Sequence, residues 1–352
     1  MELLLLIILP LAGFYVGWNI GANDAANCVG TAVGSGVISY RKAAILMGVF
    51  VTLGGMIHGH HVMKTVGKGI VITSEEAYEI ENQEPAPPEL KQAYFPEDRL
   101  PDLGILVALL SAGFFVTLAT FFRVPVSTSQ AIVGGVAGSG LGIVGMQAGY
   151  FKLAVLGKIV GAWMISPLLT AVLAFTVYSL LCVALRNAKG LVWANVLSVL
   201  VIISICYVSF SLGANDVGNA IGPLLNKFPD HGIWLALLGG VAMATGALTF
   251  GERVTMTVGR DITQLDLTGA FAAQISAAAG VHLFSALGIP VSTSQAIVGA
   301  VVGVGLTGGA AAVSRRKVVT IVSGWILAPT AAAIFAALVY RSLAAIRWRG
   351  VI

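Results

Sequence analysis

Two polar, glycine-rich strings each occur twice in this chain, and their residue types suit ion binding. PVSTSQAIVG occupies Pro125–Gly134 and Pro290–Gly299. GANDAANCVG at Gly21–Gly30 is matched by GANDVGNAIG at Gly213–Gly222. The strings combine hydroxyls, amides and carboxylates without a lysine or an arginine. Because polar residues are costly at membrane depth and mark a substrate or ion path there, both strings are candidate parts of one shared site.

The PVSTSQ strings have the composition of an anion receptor at the start of a helix. Proline favours the first helical turn because it lacks a backbone N–H, so the hydroxyls that follow are expected at a helix N-terminus. There the free N–H groups and the positive end of the helix dipole attract an oxyanion. A single copy is equally typical of an ordinary capped helix, but ten identical residues in both halves favour a site. The candidate anion contacts are Ser127, Thr128, Ser129, Ser292, Thr293 and Ser294.

The GAND strings offer oxygen atoms of the kind that small, hard cations prefer. Asp24 and Asp216 supply one carboxylate per copy, and a backbone break at Gly21 and Gly213 would add carbonyl oxygens. Two other roles stay open for the carboxylates: carrying a proton, or capping a helix at the interface. The candidate cation ligands are Asp24, Asn27, Gln130, Asp216, Asn219 and Gln295, and Asn23 and Asn215 are assigned to the anion.

The composition excludes a soluble globular protein, because 57% of the residues are hydrophobic and only 10% are charged. The motif stretches are apolar enough to enter a membrane but dense in glycine and hydroxyls, so we expect broken or re-entrant helices there. The fold class is therefore all-α, a polytopic membrane protein with about 10–12 spans when these pieces are counted. The predicted spans are 2–20, 43–66, 103–122, 153–185, 191–212, 233–258, 269–288 and 318–340, and the predicted broken stretches are 21–36, 125–149, 213–225 and 290–312.

The chain divides into two related halves, 1–186 and 187–352, which together form one transmembrane domain. The GAND strings lie 192 positions apart and the PVSTSQ strings 165 positions apart. The difference is an insertion in the first half, within an acidic external loop at about 71–102. Each half crosses the membrane an odd number of times by our count, which turns the second half upside down. The placement of lysine and arginine agrees in part with this inverted repeat.

Other kinds of site find little support in the sequence. Cys28, Cys182 and Cys206 lack a metal-binding spacing, and the histidines of GMIHGHH have no counterpart in LTFGERV of the second half. The chain contains no HExxH, P-loop or Ser-His-Asp pattern, so we do not expect an enzyme. We also expect no cofactor and no nucleic-acid partner.

The paired GAND and PVSTSQ motifs resemble the PiT family of inorganic phosphate transporters, sodium- or proton-coupled symporters with an all-helical inverted-repeat fold. The resemblance covers about residues 10–340. It implies that the hydroxyl triplets contact phosphate and that Asp24, Asn27, Asp216 and Asn219 hold the coupling cation. Some relatives carry an acid where this chain has Gln274, which favours sodium over protons here. The implied partners are phosphate, sodium and the lipid bilayer of the inner (plasma) membrane, and the chain is expected to be multi-pass, with a homodimer left open.

The resemblance implies a symporter that alternates access around a central site formed by both halves. Two alternatives keep this fold, a proton-coupled phosphate permease and a sulfate permease. Sulfate has no proton to donate, whereas phosphate has one that Asp24 or Asp216 can accept. A passive anion channel is the alternative from another class, and it would need no paired carboxylates.

Overall fold

The computed structural model describes residues 2–71, 100–122, 126–145, 150–187, 190–225, 227–255, 265–309 and 315–348. The acidic insertion predicted at 71–102 therefore lies almost entirely outside the described residues. The α-helices are α1 (Glu2–Gly34), α2 (Tyr40–His58), α3 (His60–Lys68), α4 (Asp102–Phe121), α5 (Thr128–Val144), α6 (Leu153–Ala184), α7 (Leu191–Leu212), α8 (Gly218–Leu225), α9 (Gly232–Gly246), α10 (Leu267–Ala286), α11 (Thr293–Leu306) and α12 (Arg315–Trp348). Wider π-helical turns, Gly213–Val217 and Ala247–Gly251, follow α7 and α9, and a 3-10 turn, Pro229–His231, precedes α9.

The predicted all-α, polytopic membrane fold is confirmed. Within the described residues, eight helices are long and apolar enough to cross a membrane. They overlap the eight spans expected from composition, but the first and the fifth continue to Gly34 and Leu225, through stretches that were expected to be broken. Their outward faces carry large apolar side chains such as Leu168, which is 67% exposed, as expected of surfaces in contact with lipid.

The first GAND string differs from the prediction, because α1 continues without a break through Gly21 and on to Gly34. A Cβ atom at Gly21 would collide with the backbone carbonyl of Met243 in α9. The glycine therefore permits a close approach of two helices instead of a backbone break. In the second copy, Gly213–Val217 widens into the π-helical turn between α7 and α8 but does not interrupt the helical path.

The helices α5 and α11 start at the PVSTSQ strings, as predicted, although Pro290 lies two residues before the N-cap and not in the first helical turn. Ser127 and Ser292 are the N-caps, with extended backbone, and helical residues begin at Thr128 and Thr293. Both helices, with 17 and 14 residues, are shorter than the eight spans. Several of their glycines face backbone of the opposite half: Gly134 and Gly138 of α5 meet α12, and Gly299 and Gly303 of α11 meet α6.

The central helices of the two halves pack closely through small residues. Gly17 of α1 lies against Gly239 and Ala242 of α9, and further along both helices Gly251 lies against Ala25. The contacts advance in the same direction along both helices, so α1 and α9 run parallel. The same kind of contact joins α2 to α7, where a Cβ at Gly54 would meet the Phe210 carbonyl. The motif residues lie inside this helix cluster.

Candidate ion-binding site

Each PVSTSQ string places its three hydroxyls in three different roles. The first serine caps its own helix, since Ser127 Oγ accepts from the Gln130 backbone N–H at 3.3 Å and Ser292 Oγ from Gln295 at 3.2 Å. The threonine faces the carboxylate of its own half, and the second serine crosses to the opposite half. The sequence predicted that the six hydroxyls act together. Their different partners follow from their successive positions at the start of each helix.

Asp24 is fully buried and receives hydrogen bonds on both carboxylate oxygens. Asn27 Nδ2 donates to Oδ1 at 2.8 Å, one helical turn further along α1. Thr128 Oγ1 donates to Oδ2 at 2.8 Å from the start of α5. The GAND and PVSTSQ strings of the first half are thus in direct contact.

Asp216 is also fully buried and has a denser set of donors. Its Oδ1 accepts from Asn219 Nδ2 at 2.8 Å, Asn215 Nδ2 at 3.0 Å and Ser129 Oγ at 2.9 Å. Its Oδ2 accepts from Thr293 Oγ1 at 3.3 Å. Asp24 has two such donors among the described residues and Asp216 has four, so the repeated motifs are not equivalent in detail.

The two halves meet at their second motif serines. Ser294 Oγ of the second half donates to the Val126 carbonyl at 2.9 Å and lies 3.4 Å from Asn27 Nδ2. In the reciprocal contact, Ser129 Oγ accepts from Asn219 at 2.7 Å and lies 2.7 Å from the Val291 carbonyl oxygen. Four strings that are far apart in sequence therefore form one continuous buried polar cluster.

Asn23 and Asn215 fasten the two strings of their own half together. Asn23 Oδ1 accepts from the Val126 N–H at 3.2 Å, and Asn215 Oδ1 accepts from the Val291 N–H at 3.1 Å. Asn215 Nδ2 also donates to the Val291 carbonyl at 2.7 Å. Both oxygens are engaged by backbone, so the structure gives these two asparagines a positioning role that the prediction of direct anion contact did not include.

Gln130 and Gln295 also belong to the cluster, and their side-chain oxygens are unusual. Both side chains are only 2% exposed, and the Oε1 atom of each is buried without a hydrogen-bond partner among the described residues. Asn219 Oδ1 shares this property. A buried oxygen that accepts no hydrogen bond destabilises the folded protein, so such an atom indicates a place where a ligand can bind. Three of the six predicted cation ligands therefore offer a free oxygen.

Some residues that hold the site were not predicted to do so. Thr120 accepts from Asn23 Nδ2 at 3.0 Å, and Trp163 Nε1 donates to the Pro290 carbonyl at 3.1 Å. Gln274 donates to the Cys28 carbonyl at 3.0 Å and accepts from Ser204 at 2.5 Å. A lone threonine in an apolar helix carries no signal in the sequence.

No basic side chain is available to neutralise the two carboxylates from the helices that form the cluster. Residues 3–34 and 191–225, as well as α5 and α11, contain no lysine, arginine or histidine. Within the described residues, Lys227 pairs with Asp102 at 2.7 Å, away from the motif residues. The cluster is therefore a fully buried set of oxygen ligands and hydroxyl donors that lacks its own positive charge.

Comparison with known proteins gives consistent matches over almost the whole chain. A model described as the phosphate transporter family matches residues 20–195 and 186–336. A Pyrococcus furiosus protein named as a phosphate permease is 30% identical, with 96% of each chain covered. The chloroplastic inorganic phosphate transporter 2-1 of Arabidopsis thaliana is 28% identical over 90% of this chain and 68% of its own. A solved structure named "the sodium-dependent phosphate transporter" superimposes with a TM-score of 0.82 at 30% identity, covering 97% of this chain and 99% of that one.

Proposed function

Because this chain belongs to the phosphate transporter family and is a multi-pass membrane transport protein, not an enzyme, we propose that it imports inorganic phosphate together with sodium ions. The cations bind at the Asp24 and Asp216 carboxylates, and the anion binds between the starts of α5 and α11. Transport takes place across the inner (plasma) membrane. The name of the similar solved structure supports sodium as the coupling ion.

The observation that carries this proposal is a pair of fully buried carboxylates without a basic partner in the surrounding helices. A buried, unpaired charge is strongly destabilising, so each carboxylate needs a cation or a proton. The Oε1 atoms of Gln130 and Gln295 accept no hydrogen bond among the described residues, which favours a metal cation over a proton. Side-chain amide oxygens are common ligands of hard cations. Sodium bound there also supplies the positive charge that a phosphate needs.

Phosphate fits the donors and acceptors of the site. The N-termini of α5 and α11 bring backbone N–H groups and six hydroxyls to one place, and the hydroxyls would exchange their present protein partners for an oxyanion. The carboxylates of Asp24 and Asp216 can accept a hydrogen bond from the O–H group that phosphate carries at neutral pH. Moving a dianion inward against 100 mV costs about 4.6 kcal/mol, at about 2.3 kcal/mol per charge. Two sodium ions, one per carboxylate, cancel that electrical cost.

The packing of the halves supports alternating access between inverted repeats. Because α8 ends at Leu225 and α9 begins at Gly232, these successive spans cross the membrane in opposite directions. The parallel pairing of α1 with α9 then makes α1 antiparallel to α7, its counterpart in the second half. Rocking of the halves around the shared cluster would expose it to each side in turn.

The first test is phosphate uptake into liposomes that contain the purified protein. We expect an inward sodium gradient to drive labelled phosphate uptake and an equal potassium gradient to leave it at the background level. A pH gradient alone is expected to have no effect, and a tenfold excess of sulfate is expected to compete weakly. Uptake that follows the pH gradient and ignores sodium would instead establish the proton-coupled alternative.

The second test concerns the free amide oxygens. Replacing Gln130 or Gln295 by leucine keeps the side-chain volume roughly constant and removes the oxygen. Loss of one ligand from a metal cation is expected to raise the sodium concentration for half-maximal uptake by about tenfold, equivalent to about 1.4 kcal/mol. Asn187→Leu, which removes an exposed amide just after α6, is the matched control. An unchanged sodium dependence in both leucine variants would remove these glutamines from the cation site.

A further inference from the structure

A chain of hydrogen bonds joins Tyr207, His282 and His58, outside the ion-binding cluster. Tyr207 OH lies 3.1 Å from His282 Nδ1, and His282 Nε2 lies 3.2 Å from His58 Nδ1. His58 is the last residue of α2 in the first half, whereas Tyr207 and His282 belong to α7 and α10 in the second. The two imidazoles therefore connect the halves.

The place related to this one by the internal repeat has no histidine. By the offsets of 192 and 165, the counterparts of Tyr207, His282 and His58 are Tyr15, Thr117 and Phe250. Tyr15 OH is hydrogen-bonded to Thr117 Oγ1, as Tyr207 is to His282.

The ring contacts are repeated as well. The Trp18–Phe250 rings meet edge-on at 5.5 Å, and their counterparts, the Phe210–His58 rings, meet edge-on at 5.8 Å. The fold thus makes this contact between halves without histidine at one of the two related positions and with histidine at the other. Packing alone does not require the histidines.

We propose that His58 and His282 form a proton-responsive bridge between α2 and α10, which holds while at least one ring is neutral and separates when both rings are protonated. An N–H···N hydrogen bond needs one facing nitrogen without a proton. When both rings are charged, both facing nitrogens carry hydrogens, and the bond gives way to repulsion between like charges.

The surroundings do not stabilise a second proton. The four helices around the pair, α2, α3, α7 and α10, contain no aspartate or glutamate, and neither does α9, α11 or the turn Ala247–Gly251. Tyr207 contacts the pair, and His60, His61 and Lys64 follow His58 on α3. The remaining titratable groups on the packed elements are Tyr40, Arg41 and Lys42 at the far end of α2, Lys68 on α3, Cys206 on α7, Glu2, Tyr15, Asp24 and Cys28 on α1, Asp216 in the turn after α7, and Lys158, Tyr178 and Cys182 on α6.

Separation of the two histidines would affect the ion site through the short segment that joins α10 to α11. Helix α10 ends at Ala286, four residues after His282, and Ser292 begins the next helix after five more residues. The Val291 backbone in this connection is held by Asn215 and Ser129. Protonation at the bridge therefore acts on the segment that positions the anion-binding hydroxyls of the second half.

The direction of the pH effect follows from proton counting. The bridged pair binds fewer protons than two separated, charged rings, so the bridge is favoured at higher pH and lost as the pH falls. Imidazoles in general titrate near pH 6.5, and such a group goes from about 90% neutral at pH 7.5 to about 10% neutral at pH 5.5. Because the bridge breaks only when both rings are protonated, at least one of two such groups is neutral in about 99% of molecules at pH 7.5 and in about 17% at pH 5.5, so a loss of up to about sixfold in bridge-dependent activity is expected.

The test compares the pH profile of the unmodified protein with that of a double variant, His58→Phe with His282→Thr, which installs the residues of the related positions, Phe250 and Thr117. Uptake is measured at saturating sodium from pH 5.5 to 7.5, and each value is divided by that of the variant at the same pH, so that phosphate ionisation cancels. The ratio is expected to fall by up to about sixfold on acidification. His231→Ala, at an exposed histidine, is expected to keep the unmodified profile.

Parallel profiles of the unmodified protein and the double variant would overturn the bridge. This inference uses uptake as proposed above, but its failure is distinct, because absence of uptake at every pH would contradict the transport function itself. If the double variant transports poorly, thermal unfolding in detergent gives a second measurement. Acidification is expected to lower the midpoint more for the unmodified protein than for the variant, and equal shifts would also overturn the bridge.

Discussion

Replacing Asp24 or Asp216 by asparagine is expected to reduce sodium-dependent phosphate uptake by about 100-fold or more. Each carboxylate is fully buried and is the only charged group of its half in the cluster. Breaking a buried charge pair by removing one partner costs about 3–5 kcal/mol, and each 1.4 kcal/mol is a factor of ten. Asparagine keeps the size of the side chain, so the loss reports the missing charge. The measurement is initial uptake in liposomes at several sodium concentrations.

Asp230→Asn is the matched control, since Asp230 is exposed in the turn before α9 and is expected to keep full uptake. Sodium-dependent protection against thermal unfolding gives a second readout, which both site variants are expected to lose. Full uptake by either site variant would show that its carboxylate does not hold a coupling ion. Retained uptake together with a lost pH dependence would identify a proton carrier instead.

Gly134→Ala is expected to reduce uptake about as strongly, through geometry and not through charge. A Cβ at Gly134 would collide with the backbone of Pro329 in α12. Overpacking of this kind costs about 1–3 kcal/mol and forces the helices apart. Because α5 carries the hydroxyls at its start, a shift of about 1 Å is expected to lower the rate by about 100-fold. Uptake and the unfolding midpoint in detergent are the two measurements.

Gly157→Ala provides the comparison within the same fold. Gly157 lies in the helix α6, and a Cβ there would meet no atom within 4 Å. Both substitutions improve helix propensity equally, so any difference reports the close contact alone. Equal uptake and equal unfolding midpoints in the two variants would mean that the close contact between α5 and α12 does not affect the site.

Much of the site was predictable because burying polar residues within apolar helices costs free energy. Buried aspartates, asparagines and hydroxyls within apolar helices survive only with partners, and identical strings in both halves point to one another. The membrane fold followed from composition and span length. These arguments identified the residues that meet in the cluster, including Gln130 and Gln295, whose free oxygens the structure then located.

The rest depends on contacts that leave no local pattern. That Gly21 allows helix approach and not a break is decided by Met243, more than two hundred residues away. The exchange of Ser129 and Ser294 between halves, and the histidine pair His58–His282, likewise join distant positions. A single sequence shows that such residues are present but not which of them face each other.

The exchanged packing of α5 on α12 has a consequence for biosynthesis. Gly134 is made 195 residues before Pro329, the residue against which it packs. At about 5–20 residues per second, the ribosome needs roughly 10–40 seconds to add that stretch. During this interval the face of α5 that carries Gly134 lacks its final neighbour, so an insertase or provisional contacts must cover that face until the last span is inserted.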